Sequence, residues 1–146
     1  METTRAPISL GAIEITFKID AEDSGGSHTV FECRVAPAGK VPVPHSHDGF
    51  EETIYGLDGT STWTVDGETH EVGERDCICI KRGSVHGFEN HGDEPTRFLA
   101  VATPGVFGPS YFEDLAGVIA AGHGGPPDVG ALVGVMRRHG LTPAQP

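Results

Sequence analysis

The sequence of 146 residues is poor in basic side chains and contains no long apolar run. Lys and Arg total 10 against 21 Asp and Glu, so the formal net charge is -11 with neutral histidines. An acidic surface repels phosphate backbones and anionic lipids, so neither nucleic acid nor a membrane is an expected partner. The first residues lack the basic and apolar run of a secretory signal, and no stretch could span a bilayer. We therefore expect a single cytoplasmic domain.

Cysteine is also scarce, and its pattern argues against a disulfide framework. Cys33, Cys77 and Cys79 form an odd set without a CxxC pair, which agrees with a reducing compartment. Cys77 and Cys79 alternate with Ile78 and Ile80, so on a strand both thiols would share one face. We expect buried, inert thiols rather than metal or redox groups.

Glycine and proline, by contrast, are abundant, with 21 and 11 residues. They divide the chain up to about residue 102 into short segments in which apolar and polar residues largely alternate, the period of a half-buried strand. Many short strands with no helix among them predict an antiparallel sandwich or barrel. The predicted strands are one that ends at Asp58-Gly59, together with Ala12–Ile19, Thr29–Val35, Ser61–Val65, Thr69–Val72, Cys77–Ile80, His86–Glu89 and Thr96–Ala102.

The pattern changes after Pro104, where apolar residues recur at helical spacing. A capping-box pattern that starts at Ser110 predicts one helix, and Asp128 is the predicted cap of a second helix that stops at Gly140. Neither apolar stripe would be stable alone in water, so the helices are expected to pack on the strands or on a partner subunit. The stripes are Phe112, Leu115, Ala116 and Ile119 in the first helix and Val129, Leu132, Val133 and Met136 in the second.

The stretch PHSHDGFEETIYGLDG holds two histidines and four acidic residues. On a strand, His45 and His47 would point to the same side. An HxH pair alone is also common in solvated loops, so further ligands are needed to indicate a metal site. Glu51 and Glu52 compete for the role of a carboxylate ligand because adjacent residues face opposite sides of a strand. If the inward set runs through Ile54, Glu52 belongs to it and Glu51 faces outward.

A third candidate histidine, His86, opens a later predicted strand. In a small closed barrel, inward residues of sequence-distant strands can meet near the axis. Three imidazoles and one carboxylate form a nitrogen and oxygen ligand set that suits Fe, Mn, Co, Ni, Cu or Zn rather than Ca or Mg. The prediction is one divalent transition metal per chain, of unknown identity. The other five histidines, predicted to be solvated, are His28, His70, His91, His123 and His139.

These residues resemble the two sequence motifs of the cupin superfamily. The first motif, G(X)5HxH(X)3-4E(X)6G, is met in full from Gly39 to Gly59. The second, G(X)5-7PxG(X)2H(X)3N, is met from Gly73 to Asn90 except that Lys81 replaces the proline. The resemblance implies an all-β fold, a cupin double-stranded β-helix or jelly-roll barrel with a short C-terminal two-helix tail. It also implies metal ligation by His45, His47, Glu52 and His86.

The same resemblance implies a division of the chain and an oligomeric state. Residues 1–104 would form the barrel, with the motifs at 39–90, and residues 105–146 would form a helical extension. Cupins usually pair through sheet edges, so a homodimer is expected.

The wider chain is similar to the bacterial single-barrel quercetin 2,3-dioxygenase-like proteins, with two helices after Thr103-Pro104. This similarity implies that dioxygen opens a small aromatic or enolic substrate of flavonol type, and that Glu52 takes a proton from the substrate hydroxyl. Burial in an apolar barrel should raise the pKa of Glu52, which suits a base. The expected pocket wall consists of Phe31, Tyr55, Trp63, Phe88, Phe98 and Phe107.

Two other functions stay open at this point. A non-catalytic metal-binding or small-ligand-binding cupin would bind its ligand tightly without turnover. An isomerase or cyclase of a small metabolite would need polar pocket residues that the sequence does not locate.

Overall fold

Two antiparallel sheets form the computed structural model, which describes residues 5–144. The first four residues, where a secretory signal was sought, and the last two of the predicted helical extension lie outside the described residues. The strands are β1 (Ile8–Ser9), β2 (Ile13–Ile19), β3 (Thr29–Val35), β4 (His45–His47), β5 (Glu51–Asp58), β6 (Ser61–Val65), β7 (Glu68–Val72), β8 (Cys77–Ile80), β9 (His86–Glu89), β10 (Thr96–Thr103) and β11 (Leu141–Pro143). The helices are α1 (Ala21–Ser24), α2 (Pro109–Ala121) and α3 (Val129–Arg138).

The six-stranded sheet has the order β1-β2-β3-β10-β5-β8, and the five-stranded sheet has the order β11-β4-β9-β6-β7. Strand β10 lies near the centre of the larger sheet, where Ala100 is paired with Phe31 on β3 and with Ile54 on β5. The alternation that predicted these strands reflects one buried face, since Phe98, Ala100 and Ala102 of β10 are all buried. A jelly-roll arrangement of two sheets with two C-terminal helices confirms the predicted fold class.

The start of α2 differs from the prediction. The cap is Gly108, which makes no side-chain cap hydrogen bond, and Pro109 occupies the first turn. The capping box at Ser110 is therefore wrong. Proline has a backbone angle suited to the first helical position and no N–H to satisfy, so the helix begins one residue before the serine.

The limits of α3 are as predicted, but two members of its predicted stripe, Val129 and Val133, are not buried. The side chain of Asp128 accepts a hydrogen bond from the backbone N–H of Ala131 at 3.1 Å, which confirms the cap. Gly140, just beyond the end of the helix, has a φ of 82°, a conformation that favours glycine. Val129 is 59% exposed and Val135 is buried in its place. The reason is that the chain from 123 to 130 is exposed, so the first turn of α3 does not reach the core.

Both long helices belong to the hydrophobic core of the barrel. Tyr111, Phe112 and Leu115 of α2 and Leu132, Val135 and Met136 of α3 are buried in the same cluster as the strand residues. The chain then returns to the smaller sheet through β11, which pairs with β4. Strand β11 was not predicted. No helix within residues 5–144 is both long and apolar enough to cross a membrane.

Candidate metal centre and adjoining cavity

Three buried histidines meet in the smaller sheet. His45 and His47 lie two residues apart on β4 and both point inward, and His45 is paired with His86 on β9. Their exposed fractions are 8%, 1% and 3%. One ring nitrogen from each of the three lies within 4.8 Å of the corresponding nitrogens of the other two. The HxH pair therefore does not lie in a solvated loop, which was the alternative interpretation. It lies on a short strand, and both imidazoles point inward.

The backbone sets the orientation of all three imidazole rings. Nδ1 of His45 is 2.9 Å from the carbonyl oxygen of Val43, and Nδ1 of His86 is 2.9 Å from that of Ser84. Nδ1 of His47 is 3.0 Å from the carbonyl oxygen of Phe50. A carbonyl oxygen can only accept, so each Nδ1 carries a proton. The lone pair on Nε2 of a neutral imidazole is then free to bind a metal ion, whereas a protonated imidazole can donate a hydrogen bond from Nε2 to Glu52. Such outer hydrogen bonds are the usual means of orienting metal-binding histidines.

The larger sheet contributes a carboxylate to the same place. Glu52 is buried on β5 with Ile54, and its Oε1 lies 3.3 Å from Nε2 of His47 and 3.7 Å from Nε2 of His86. Glu51 points the other way and pairs with Arg82 on the surface. The alternation on β5 therefore places Glu52, and not its neighbour, beside the histidines.

The charges of the cluster are strongly coupled. Burial acts to raise the pKa of Glu52, but hydrogen bonds with His47 and His86 outweigh it and bring the value down to about 2. Burial, assisted by the neighbouring His86, lowers the pKa of His45 to about 4. Burial also acts to lower the pKa of His86, yet the hydrogen bond and charge of Glu52 raise it overall. The expectation of a raised pKa for Glu52 is wrong because the imidazoles stabilise its ionised form more than burial destabilises it.

The donor atoms are of the types that a divalent transition ion binds. Nitrogen and oxygen ligands bound at about 2.1 Å to one ion lie roughly 3 to 3.5 Å apart when neighbouring in the coordination sphere. The Oε1 to Nε2 separations of 3.3 and 3.7 Å are close to this range. Ca and Mg prefer oxygen ligands, so a set of three imidazoles and one carboxylate does not suit either ion. Three imidazoles with this geometry are compatible with a metal site, which Glu52 could complete.

A small apolar cavity of about 50 Å³ adjoins the cluster. His45, Glu52 and His86 form its polar wall, whereas His47 is stacked behind them on Phe50, with 3.8 Å between ring centroids. No Lys or Arg of the described part of the chain lines the cavity. Five of the six aromatic residues named from the sequence do line it: Phe31, Trp63, Phe88, Phe98 and Phe107.

The sixth aromatic residue, Tyr55, does not line the cavity and was wrongly assigned. It follows Ile54 on β5, so it points to the outer face of the sheet, where it is 38% exposed and paired with Cys77 on β8. The period of two that placed Glu52 inside places Tyr55 outside.

The helices supply cavity residues that the sequence analysis did not identify. Tyr111, Phe112 and Leu115 of α2 and Leu132 and Met136 of α3 close one side of the cavity. Their helical spacing predicted burial, but no local signal shows which strands a helix covers.

The cysteines and the remaining histidines have no part in the cluster. Cys33 is buried and lines the cavity, but Cys77 and Cys79 are exposed, so the expectation of buried thiols is wrong for these two. They share the outer face of β8 while Ile80 occupies the buried face. Each of the other five histidines is half-buried or exposed: His28, His70, His91, His123 and His139.

The family profile described as Cupin domain matches residues 31–102, which run from within β3 to within β10 and include every residue of the cluster. The chain belongs to the cupin superfamily. Its sheets, motifs and inward histidines are those that the motif resemblance implied. A specific likeness to quercetin dioxygenases is not part of this finding.

The names of known proteins that are similar to this cupin indicate different activities or none. An uncharacterized protein of Methanocaldococcus jannaschii is 34% identical over 70 residues, which are 48% of this chain and 56% of the relative. The crystal structure of the polyketide cyclase RemF from Streptomyces resistomycificus shares 34% identity, with 70% of this chain and 71% of RemF covered and a TM-score of 0.58. A predicted oxalate decarboxylase from Thermotoga maritima shares 25% identity, with 70% and 94% covered and a TM-score of 0.64. The chain thus spans little more than half of the curated archaeal relative.

Proposed function

We propose that this cupin is a metal-dependent dioxygenase-like enzyme acting on a small aromatic or enolic compound. The observation that carries the proposal is the position of the cluster. His45, His86 and Glu52, with His47 next to them, form the polar side of a cavity that is otherwise lined mainly by aromatic and aliphatic side chains. A site of this kind binds an apolar ligand that presents an oxygen to the ion.

In this proposal His45, His47, His86 and Glu52 hold one divalent transition metal per chain. Such an ion, when bound, supplies Lewis acidity toward a substrate oxygen and, for redox-active metals, reactivity toward dioxygen. Glu52 lies at the cavity wall and is ionised at neutral pH, so it is the proposed acceptor of the proton of a substrate hydroxyl. Its lowered pKa makes it a weaker base than the sequence analysis expected. The apolar wall excludes water from the reacting groups.

The cavity restricts the substrate. The cavity, at about 50 Å³, has room for a few water molecules, because one water molecule needs roughly 10 to 15 Å³ of cavity volume. A molecule as large as a flavonol therefore requires α2 and α3 to move away from the strands, and smaller enolic ketones are favoured. The absence of Lys and Arg from the cavity wall argues against a phosphorylated sugar.

Two other candidate functions are consistent with the same site. The 34% identity with the polyketide cyclase RemF favours a cyclase as the second candidate, because enolic ketones are also plausible substrates for ring closure. The third candidate is a cupin that binds metal or a small ligand without turnover, since the fold by itself does not determine activity.

One experiment separates the three functions. The protein is loaded in turn with Fe, Mn, Co, Ni, Cu and Zn and incubated with small hydroxy-ketones and flavonols, both in air and without oxygen. A dioxygenase consumes one dioxygen per substrate and is inactive without oxygen. A cyclase or isomerase converts the substrate equally under both conditions, and a binding protein converts none. The absence of oxygen uptake with every metal would refute the dioxygenase.

The metal ligands are tested separately by metal content. His45→Ala and His86→Ala should each lose bound metal, because each removes one Nε2 donor from the cluster. His91→Ala is the matched control, since its side chain is 62% exposed. Metal analysis after dialysis gives the result, and equal metal content in all three variants would contradict the site.

Two further proposals concern the whole protein. We retain the homodimer and the cytoplasmic location expected from the sequence. Light scattering on the intact chain measures its mass in solution and tests the dimer.

A further inference from the structure

Tyr111 lies in the first turn of α2 with 4% of its surface exposed, and it lines the cavity with His45, Glu52 and His86. Its hydroxyl makes no hydrogen bond with any residue in the range 5–144. Every side-chain nitrogen or oxygen that is fully enclosed within that range does have a partner. The hydroxyl of Tyr111 therefore retains accessible surface, and the cavity is the open space that this residue lines.

The phenol ring is held in one position by its neighbours. Its centroid lies 5.2 Å from that of Phe107 and 5.0 Å from that of Phe112. On the other side the ring meets the edge of His139 at 5.5 Å, and Nε2 of His139 bonds to Asp114 at 2.8 Å. Contacts with Phe112 of α2 and with His139, just after α3, thus hold the ring in place.

The hydroxyl is a proton donor at neutral pH. Burial, and then the negative charge of Glu52, raise the pKa of Tyr111. The effect of Glu52 also shows that the phenol lies within the field of the carboxylate next to the histidines. Tyr111 and Glu52 line the same small cavity.

Among residues 5–144, no other side chain that lines the cavity has a hydroxyl group. The indole N–H of Trp63 is already bonded to Ser61 at 2.9 Å, and the remaining polar side chains are the thiol of Cys33 and the members of the cluster. A donor that faces an apolar cavity without a partner is unfavourable, and a ligand acceptor removes that cost.

We propose that Tyr111 is a positioning residue that donates a hydrogen bond to a carbonyl oxygen of the substrate. The proposal rests on the proposed function, in which the substrate hydroxyl faces His45, Glu52 and His86. It narrows the substrate class to small enolic or hydroxy-ketones, which carry an acceptor in addition to the metal-binding oxygen. Compounds with a single hydroxyl would lack the second contact.

The test measures binding to the zinc-loaded full chain, because zinc has no redox chemistry and separates binding from oxygen consumption. Calorimetry compares 3-hydroxy-2-methyl-4-pyranone, a small hydroxy-ketone, with phenol, which has no carbonyl. Tyr111→Phe should weaken binding of the hydroxy-ketone about 5- to 10-fold, the ratio expected for one hydrogen bond. Its affinity for phenol, its zinc content and its melting temperature should stay at the wild-type values.

Tyr55→Phe is the matched control, because the same atom is removed from an exposed tyrosine on the outer face. Equal affinity of Tyr111→Phe and wild type for the hydroxy-ketone would overturn the inference, as would an equal loss for both probes. Failure of the wild type to bind the hydroxy-ketone would overturn it as well. Selective weakening by Tyr111→Phe without oxygen uptake in the wild type would support the inference and reject the dioxygenase.

Discussion

His45 should make the metal-free protein less stable as the pH falls below 6.5. The side chain is 8% exposed, and its pKa is about 4 in the folded protein against 6.5 in a free imidazole. Between these values the unfolded chain binds a proton that the folded chain does not. Acid therefore favours unfolding in this interval.

The size of the effect follows from the two pKa values. At roughly 1.4 kcal/mol per pH unit, the full interval corresponds to about 3 kcal/mol of unfolding free energy, of which about 2 kcal/mol is lost between pH 6.5 and 4.5. Glu52 contributes little in this window, because the stabilisation that comes from its lowered pKa is lost mainly as the pH falls from 4.5 toward 2. His86 does not contribute either, because its raised pKa stabilises the fold fully below 6.5 and loses that effect only at higher pH.

The assay is urea unfolding of chelator-treated protein at pH 6.5, 5.5 and 4.5. The unfolding free energy of wild type and of His91→Gln should decline by the same amount between pH 6.5 and 4.5. The decline in His45→Gln should be smaller by about 2 kcal/mol, whatever the stability of this variant at pH 6.5. Because His91 is exposed, its substitution controls for the change in composition. An identical decline in His45→Gln and wild type would refute the assignment of the effect to this imidazole.

Two further predictions concern packing and exposure. Leu132→Ala should lower the unfolding free energy by about 2 to 5 kcal/mol, because Leu132 is 1% exposed on the inner face of α3. Val129→Ala, at an exposed position of the same helix, should change it by less than about 0.5 kcal/mol. Similar values in urea unfolding would contradict the packing of α3. A thiol reagent should modify Cys77 and Cys79 rapidly in the native protein and Cys33 only after unfolding, because burial and then the charge of Glu52 raise the pKa of Cys33. Rapid reaction of three thiols would contradict the buried position.

The candidate site was predictable where its geometry depends on neighbours along the chain. The limits of β3, β6, β8 and β9 match the sequence pattern, because the period of two is local. The same period separates Glu52 from Glu51 and explains why Tyr55 lies outside.

Other features depend on contacts between distant segments and were missed or misjudged. Strand β11 has only three residues, so its pairing with β4 leaves no periodic pattern to detect. The lowered pKa of Glu52 depends on imidazoles from the opposite sheet, which outweigh the effect of burial. The exposure of Cys77 and Cys79 depends on which face of β8 the other sheet covers.

By itself the sequence determined the family, the strand pattern and the three inward histidines with Glu52, because motif spacing and side-chain alternation are properties of the chain. The tertiary structure alone decided that α2 and α3 close the cavity and that Tyr111 faces it. A helix carries an apolar stripe but no information on which strands will cover it. That choice depends on the complementary shape of surfaces that exist only after folding.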